Sequence, residues 1–372
     1  MKILYFTDPH TNSKKFNGVG ANGIPARIDD YLNTFKWIRD VAIQEQVTDI
    51  VCGGDVFENV NDAKEEYRNW PMYFNFTFSS FHMLSQVARL SIIGGGNHDK
   101  YDSIMNVLEP FEVFAKVYHN PSYVYYPEYG RRFVFMPFVR DIEKNDYEAM
   151  LNSQLDYVTP TLVFTHQGIK NDAFSHDKDA VDASIFSRDN IVRVFGGHYH
   201  HFFIINDKIV FPGSVMAFNF TDIYSEKQII VYDVDSDTVT YHKNPYGGKF
   251  LSVNNLDLTQ DYIDKLMQEK DKIFLRVLIK KDEKPNFQKE LFELRGCDIK
   301  KVDMYKEEIK MSGKKPEEQD QIDARPVKPF TLSFTRDEFR SLVYDHFEDT
   351  SLLDKSKKYL DEIIEESFNI GS

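Results

Sequence analysis

Cysteine is nearly missing from this chain: there are two in 372 residues, Cys52 and Cys297, far apart and in unrelated contexts. That excludes a disulfide framework and a thiolate-rich zinc site as organising principles, and it suits a reducing compartment. Long apolar runs are lacking too. None approaches the roughly 18 residues of a bilayer span and no apolar leader precedes the first strand, so a cytosolic protein without membrane association is expected. Positive charge is in deficit, with 45 basic against 59 acidic residues and a formal net charge of −14. This balance argues against broad, non-specific adhesion to nucleic acid, which needs a basic face, yet leaves room for a phosphodiester held through metal ions. Internal repeats and low-complexity tracts do not occur. What is present is a globular composition, 42% hydrophobic and 15% aromatic, at a length that buries a large core in two or three domains.

Short apolar runs recur, and each ends in polar residues of one kind. Ile3–Phe6 runs into Asp8-Pro9-His10, Asp49–Cys52 into Gly53-Gly54-Asp55, and Leu90–Ile93 into Gly94-Gly95-Gly96-Asn97-His98-Asp99. Thr161–Thr165 ends at His166-Gln167-Gly168, and Ile191–Phe195 at Gly196-Gly197-His198-Tyr199-His200-His201. Runs of this length and composition read as buried strands. Between the first two, Ile28, Leu32, Phe35, Ile38 and Ala42 recur at helical spacing, so the chain opens as a βαβ unit with a polar ligand at each strand end, where α/β folds keep their sites.

The ligand-type residues so collected are Asp8, His10, Asp55, Asn97, His166, His198 and His200. Oxygen and imidazole donors without thiolate suit Mn²⁺, Fe or Zn²⁺. Seven are too many for one ion, and two ions about 3.5–4 Å apart need a shared carboxylate, for which Asp55 is the natural candidate. A single strand-end histidine is usually an ordinary loop residue; five such strand ends together are not explained that way. Asp99 offers a carboxylate able to fix the tautomer of His98.

Elsewhere Phe133–Pro137 reads as a strand, and Ile209–Gly213 and Gln228–Val234 as a further, antiparallel pair. The aromatics from Tyr67 to Phe81 read first as core and next as a subunit interface. From Phe250 a small αβ alternation begins, with helices near 259–270 and 286–295 and strands near Ile273–Ile279 and Ile299–Tyr305. Residues 311–329 have linker composition, and a capping box at Thr335 and Glu338 opens two C-terminal helices.

Asp8-x-His10, Gly54-Asp55, Gly96-Asn97-His98-Asp99, Thr165-His166 and Gly197-His198-x-His200 resemble the five ordered motifs of calcineurin-like metallophosphoesterases over about residues 1–245. The resemblance implies an α/β (α+β) fold: a four-layer β-sandwich flanked by helices, with a small αβ capping domain and a C-terminal helical hairpin. The implied domains are 1–245 catalytic, 246–310 capping and DNA-binding, 311–330 linker and 331–372 ATPase-docking. It further implies that Asp8, His10, Asp55 and His200 hold one ion while Asp55, Asn97, His166 and His198 hold the other. Mn²⁺ is favoured, with Mg²⁺, Fe or Zn²⁺ as alternatives. His98 would sit beside the scissile phosphate with Asp99 orienting it. Such an ion pair polarises the phosphoryl group and activates a water for in-line attack.

Asp55 is followed by Val56-Phe57-Glu58-Asn59, where protein phosphatases of the superfamily continue Val-Asp-Arg-Gly, and the Asn-His motif ends in Asp99 where they carry Glu. With Arg27-Ile28-Asp29-Asp30 and Pro212-Gly213-Ser214, this looks like SbcD, the nuclease subunit of the SbcCD DNA-repair and recombination complex, and its phage counterparts. That implies exo- or endonuclease action on double- and single-stranded DNA, a homodimer, a coiled-coil ABC ATPase of the SbcC type bound through 331–372, and the cytosol of a bacterium or phage-infected host. Glu58 stands where many relatives have a histidine. Substrate-contact candidates are Arg27, Lys14, Lys15, Tyr199 and His201, with Lys170, Lys280-Lys281 and Lys300-Lys301 as local basic pairs. Competing readings are a phosphatase or phosphodiesterase for nucleotides or small esters, and an inactive adaptor for the ATPase.

Overall fold

The computed structural model describes residues 1–11, 26–58, 70–94, 98–99, 106–140, 144–170, 177–220, 222, 225–280, 291, 294 and 296–302. The chain divides into two compact units. One comprises Met1–Lys15, Arg27–Phe218 and Tyr224–Gly247; the other comprises Phe16–Ala26, Asn219–Ile223 and Gly248–Ser372.

In chain order the first unit contains β1 (Lys2–Phe6), α1 (Ala26–Gln44), β2 (Asp49–Cys52), α2 (Trp70–Ser85), β3 (Arg89–Ile93), β4 (Lys116–Tyr118), β5 (Ser122–Tyr126) and β6 (Arg131–Met136). There follow α3 (Lys144–Ser153), β7 (Thr161–Thr165), β8 (Ile191–Gly196), β9 (Phe203–Ile205), β10 (Ile209–Phe211), β11 (Gln228–Asp233) and β12 (Thr238–Lys243). They form two six-stranded sheets, ordered β12-β11-β1-β2-β3-β4 and β5-β6-β7-β8-β10-β9. The pairs β1–β2, β2–β3, β6–β7 and β7–β8 are parallel, so these strands deliver their C-terminal ends to one side of each sheet.

The strands read as unbroken apolar runs because both of their faces are covered. Successive side chains point oppositely. Ile3 and Tyr5 of β1, Phe133 and Phe135 of β6, and Leu162 and Phe164 of β7 meet between the sheets. Leu4 and Phe6 of β1 instead meet Tyr31, Phe35 and Ile38 of α1 and Phe81 and Leu84 of α2. Val134 and Val163 face Tyr147 and Leu151 of α3. The result is the four-layer, helix-flanked sandwich. Phe164 sits at its centre, with the rings of Tyr5, Phe133, Phe135 and Phe195 at 5.3–5.9 Å.

Two readings of the sequence need correction or closure. Ile209–Gly213 and Gln228–Val234 do not pair with each other: β10 joins β8 in parallel within one sheet, while β11 lies antiparallel to β1 in the other. Local composition specifies strand propensity, and tertiary packing sets the partner: β10 lies between β8 and β9, and β11 between β1 and β12. The aromatic stretch is largely consumed by packing: Tyr73 and Phe81 are buried, and Phe74 and Phe78 are partly buried against Phe111 of the 3₁₀ turn Glu109–Val113.

The second unit holds β13 (Lys249–Asn254), α4 (Gln260–Met267), β14 (Ile273–Lys280) and β15 (Gly296–Val302), all three strands parallel with β14 central. Thr259 caps α4 by accepting from the Tyr262 amide, and Ile263 and Leu266 of the helix pack on Leu275, Val277 and Ile279. Most of 286–295, where a helix is expected, and all of 303–372, including the expected helical hairpin, lie outside the described residues; within the former, Leu291 and Leu294 are described and buried in the core of this unit. No helix among the described residues is long and apolar enough to cross a membrane.

Candidate metal centre

Four residues after strand ends adopt left-handed backbone despite carrying side chains: Asp8 (φ 50°), His10 (φ 43°), Asp55 (φ 47°) and His198 (φ 79°). Such conformations cost of order 1–3 kcal/mol each and persist where surrounding structure over-determines them. Here it does. Parallel pairing continues past β1 and β2, with the amides of Asp8, His10 and Thr11 donating to the carbonyls of Gly54, Asp55 and Val56 at 3.1, 3.1 and 2.9 Å. The strained turns point their side chains into one cluster.

Three groups of side chains converge closely enough to share a cation: Asp8, His10 and His200; Asp55, His166 and His198; and His10, Glu58 and His98. The His10 and His200 Nε2 atoms lie 3.0 Å apart, and His10 Nε2 is 3.7 Å from both Asp8 Oδ1 and Asp55 Oδ2. His166 Nε2 lies 3.1 Å from Asp55 Oδ2. Its Nδ1 is 2.6 Å from the Gly53 carbonyl. A carbonyl only accepts, so Nδ1 carries a proton and Nε2 is the nitrogen turned to Asp55, its lone pair becoming available to a cation when its own proton leaves. That Nε2 atom is buried without a hydrogen-bond partner, as an imidazole prepared for a cation would be. Gly54 (φ 107°) permits this approach, since a Cβ there would lie 2.6 Å from His166 Nδ1.

The two carboxylates are buried and preorganised by backbone donors. Asp8 accepts from the His198 amide at 3.0–3.1 Å and from Thr7 Oγ1 at 2.6 Å; Asp55 Oδ1 accepts from the His98 amide at 3.1 Å. Burial opposes their ionisation, but His166 and the neighbouring imidazoles outweigh it and hold both below the usual carboxylate range. Reciprocally, burial disfavours the imidazolium of His166, yet Asp55 and Asp8 raise its pKa to about 9. His10 is likewise pushed well up, against burial, by Asp8 and Glu58. Positive charge on these imidazoles occupies the place that divalent cations would take. The donor set, the orphan His166 nitrogen and the facing His10 and His200 nitrogens all fit such ions.

The loop carrying His98 is tied to the loop after β2 in both directions. The His98 amide donates to Asp55, while Asp99 accepts from the amides of Val56 (3.1 Å) and Phe57 (2.9 Å). Asp99 therefore clamps backbone, which differs from the imidazole contact expected of it. Burial and the Asp55 charge push its pKa up to about 7, against the pull of the two amides. Glu58 is the carboxylate beside the imidazoles, 3.3 Å from His10 Nδ1 and 4.0 Å from His98 Nδ1. Burial lowers the His98 pKa.

The other candidates separate clearly. Arg27 is buried, ion-paired to Asp30 at 3.3 Å and bonded to the carbonyls of Gly247 and Ala217, with Phe218 beneath it. Phe218 in turn backs His10 and His200, so Arg27 supports the cluster from behind. Tyr199 is buried and its hydroxyl donates to Asp177 Oδ2 at 2.8 Å, while His201 is half-buried and Lys170 exposed. Asn97, Lys14 and Lys15 lie outside the described residues. Lys227 carries no sequence signal, yet its buried ammonium donates to the His200 carbonyl (2.8 Å) and Ser214 Oγ (2.9 Å), fixing the backbone of the last motif.

A twin-sheet sandwich with histidines and aspartates positioned to bind divalent metal at its strand ends defines a metallophosphoesterase. Residues 1–202 match the profile of the calcineurin-like phosphoesterases, and the chain belongs to that family of metal-dependent hydrolases. Solved structures similar to it include a protein from Thermus thermophilus (12% identity, TM-score 0.40, covering 65% of this chain and 98% of that one). Others are the calcineurin-like phosphoesterase YfkN from Bacillus subtilis (13%, 0.35, 65% and 88%) and a dimetal phosphatase from Danio rerio (10%, 0.39, 65% and 95%). No curated protein sequence matches the chain.

Proposed function

We propose that this chain is a two-metal DNA nuclease of the SbcD type, hydrolysing phosphodiesters in double- and single-stranded DNA. The observation that carries the reading is the Asp99 clamp. Two places where the sequence departs from protein phosphatases, Phe57-Glu58 after Asp55-Val56 and Asp99 after His98, meet beside the cluster, where Asp99 accepts from the Val56 and Phe57 amides. The departures therefore belong to one alternative construction of the site. Asp8, His10, Asp55 and His200 would hold one ion, and Asp55, Asn97, His166 and His198 the other. Bound there, Mn²⁺ would supply Lewis-acid polarisation of the phosphodiester and lower the pKa of a water towards about 7. The backbone-bonded Asp8 and Asp55 carboxylates stay fixed, and the Gly53 carbonyl holds the His166 tautomer. His98, a quarter exposed at the rim, would donate a proton to the leaving oxygen or stabilise charge on it.

The reading extends to a catalytic region over 1–245, a DNA-contacting cap over 246–310, a linker over 311–330, dimerisation through what the core leaves uncovered of the aromatic stretch from Tyr67 to Phe81, and ATPase docking through 331–372. Incubating end-labelled duplex and single-stranded DNA with Mn²⁺, with and without the co-expressed ATPase, tests the proposal. Nucleotide release or nicking that stops with Asp55→Asn supports it. Hydrolysis of bis-p-nitrophenyl phosphate or free nucleotides with intact DNA would instead make the protein a small-ester enzyme.

A further inference from the structure

Asp177 belongs to no motif, yet it stands against the proposed centre. Its Oδ2 lies 3.5 Å from His198 Nε2, at the long end of hydrogen-bonding range, and accepts from Tyr199 Oη at 2.8 Å. Its Oδ1 accepts from the Asp179 amide at 3.0 Å. The segment carrying it is fastened to the end of β7: the Lys170 amide donates to the Val181 carbonyl and the Val181 amide to the Gly168 carbonyl, both at 2.8 Å. Gln167 Nε2 also donates to the Asp179 carbonyl, and Gln167 Oε1 accepts from the Val139 amide at 2.9 Å. Gly168 makes room for the contact, since a Cβ there would lie 2.5 Å from Asp177 Oδ2 and 2.6 Å from Tyr199 Oη. The rings of Phe138 and Tyr199, 5.3 and 5.2 Å from the His198 ring, limit its rotation.

We propose that Asp177 is the positioning residue of His198, accepting its Nε2–H so that Nδ1 is presented to an ion. The inference rests on the metal-centre reading, and it assigns that histidine's tautomer and coordinating atom. A ligand imidazole whose second nitrogen is held by a carboxylate is fixed in orientation and made more basic, and loss of that outer partner typically costs roughly 10–100-fold in metal affinity or activity. Tyr199 is then a support for the carboxylate, which accounts for its burial.

Asp177→Asn discriminates sharply. The Asp179 amide requires an oxygen at the Oδ1 position, so the new NH₂ group would occupy the Oδ2 position and donate to His198 Nε2. That holds the imidazole proton on Nδ1 and blocks coordination there. The variant is isosteric, and the Tyr199 hydroxyl, which donates to Oδ2 in the wild type, can turn to accept from the second amide hydrogen, so its melting temperature should stay near wild type. Isothermal titration with Mn²⁺ alone should show roughly 10–100-fold weaker binding of one ion. Histidine ¹⁵N spectra of the metal-free wild-type protein, assigned with His198→Gln, should show His198 protonated on Nε2, moving to Nδ1 in Asp177→Asn. Wild-type Mn²⁺ affinity in Asp177→Asn, or a wild-type His198 protonated on Nδ1, overturns the assignment. If wild type shows the Nε2–H tautomer but binds no Mn²⁺, the metal-centre reading fails and only the His198–Asp177 contact survives.

Discussion

Replacing Asp99 by alanine separates a clamp from a catalytic orienter. In the structure its fully buried carboxylate takes two backbone donors, the amides of Val56 and Phe57, at 3.1 and 2.9 Å. Leaving a buried N–H unpaired costs about 1–3 kcal/mol, so two cost about 2–6 kcal/mol. Burial and the nearby Asp55 charge push the Asp99 pKa up to about 7, so its ionised form is itself unfavourable there, and removing it returns part of this. A net loss of about 2–4 kcal/mol is therefore expected, or roughly 4–16 °C in melting temperature for a unit of this size. Because the loop also carries Asp55 and Glu58, metal binding should weaken with stability. The assay is calorimetric unfolding beside Mn²⁺ titration, at a pH near 8 where wild-type Asp99 is ionised. Asp99→Asn, which keeps one acceptor oxygen, should lose less. An Asp99→Ala protein that melts within about 2 °C of wild type and keeps its metal, yet has lost phosphodiester hydrolysis, would refute the clamp and restore Asp99 as the orienter of His98 (the threshold of about 2 °C corresponds to under ~1 kcal/mol).

Other perturbations probe other links. His98→Ala should keep metal stoichiometry while hydrolysis of DNA or bis-p-nitrophenyl phosphate falls by about 10²–10⁴-fold; loss of metal with activity would make His98 a ligand. His166, with its pKa raised to about 9, stabilises the metal-stripped fold below the unfolded value near 6.5 and loses that contribution as pH rises through about 9. Its proton must leave when a cation binds, so Mn²⁺ titrations at a pH of about 7.5 in buffers of different ionisation enthalpy should reveal proton release, and a buffer-independent heat would contradict the assignment. Phe164→Ala, emptying the ring-packed space between the sheets, should cost about 3–5 kcal/mol in denaturant unfolding while leaving metal stoichiometry unchanged. Gly54→Ala, which forces a Cβ against His166 at a φ of 107°, should weaken Mn²⁺ binding far more than a surface Gly130→Ala change.

The strands were legible because each buried run is short and apolar on both faces and ends in glycine or a turn, unlike the longer stretch in which Ile28, Phe35 and Ile38 recur at helical spacing. What escaped was polar, short or edge-placed. In β5, Tyr123 and Tyr125 face solvent, so no clean apolar run marks the strand; β12 is almost wholly polar in its exposed positions. Pairing of sequence-adjacent strands is only a tendency, so composition does not reveal that β10 lies parallel to β8. At the site, residue type and strand-end position sufficed to collect Asp8, His10, Asp55, His166, His198 and His200, which the structure brings together. Asp99 was drawn to its sequence neighbour His98, whereas its partners lie 42 and 43 residues earlier, in a contact only tertiary structure creates. Arg27 reads as a substrate contact in sequence, but packing buries it over Phe218, and Asp177 sits in a polar segment with nothing to mark it.

The central claim is that the strand-end cluster holds two cations with Asp55 between them. Crystals grown in millimolar Mn²⁺ and measured at the manganese absorption edge test it directly. The account predicts two anomalous peaks about 3.5–4 Å apart, one beside Asp8, His10 and His200, the other beside His166 and His198, with Asp55 touching both. Well-ordered crystals showing no peak near Asp55, or one ion with Asp55 turned away, would contradict it.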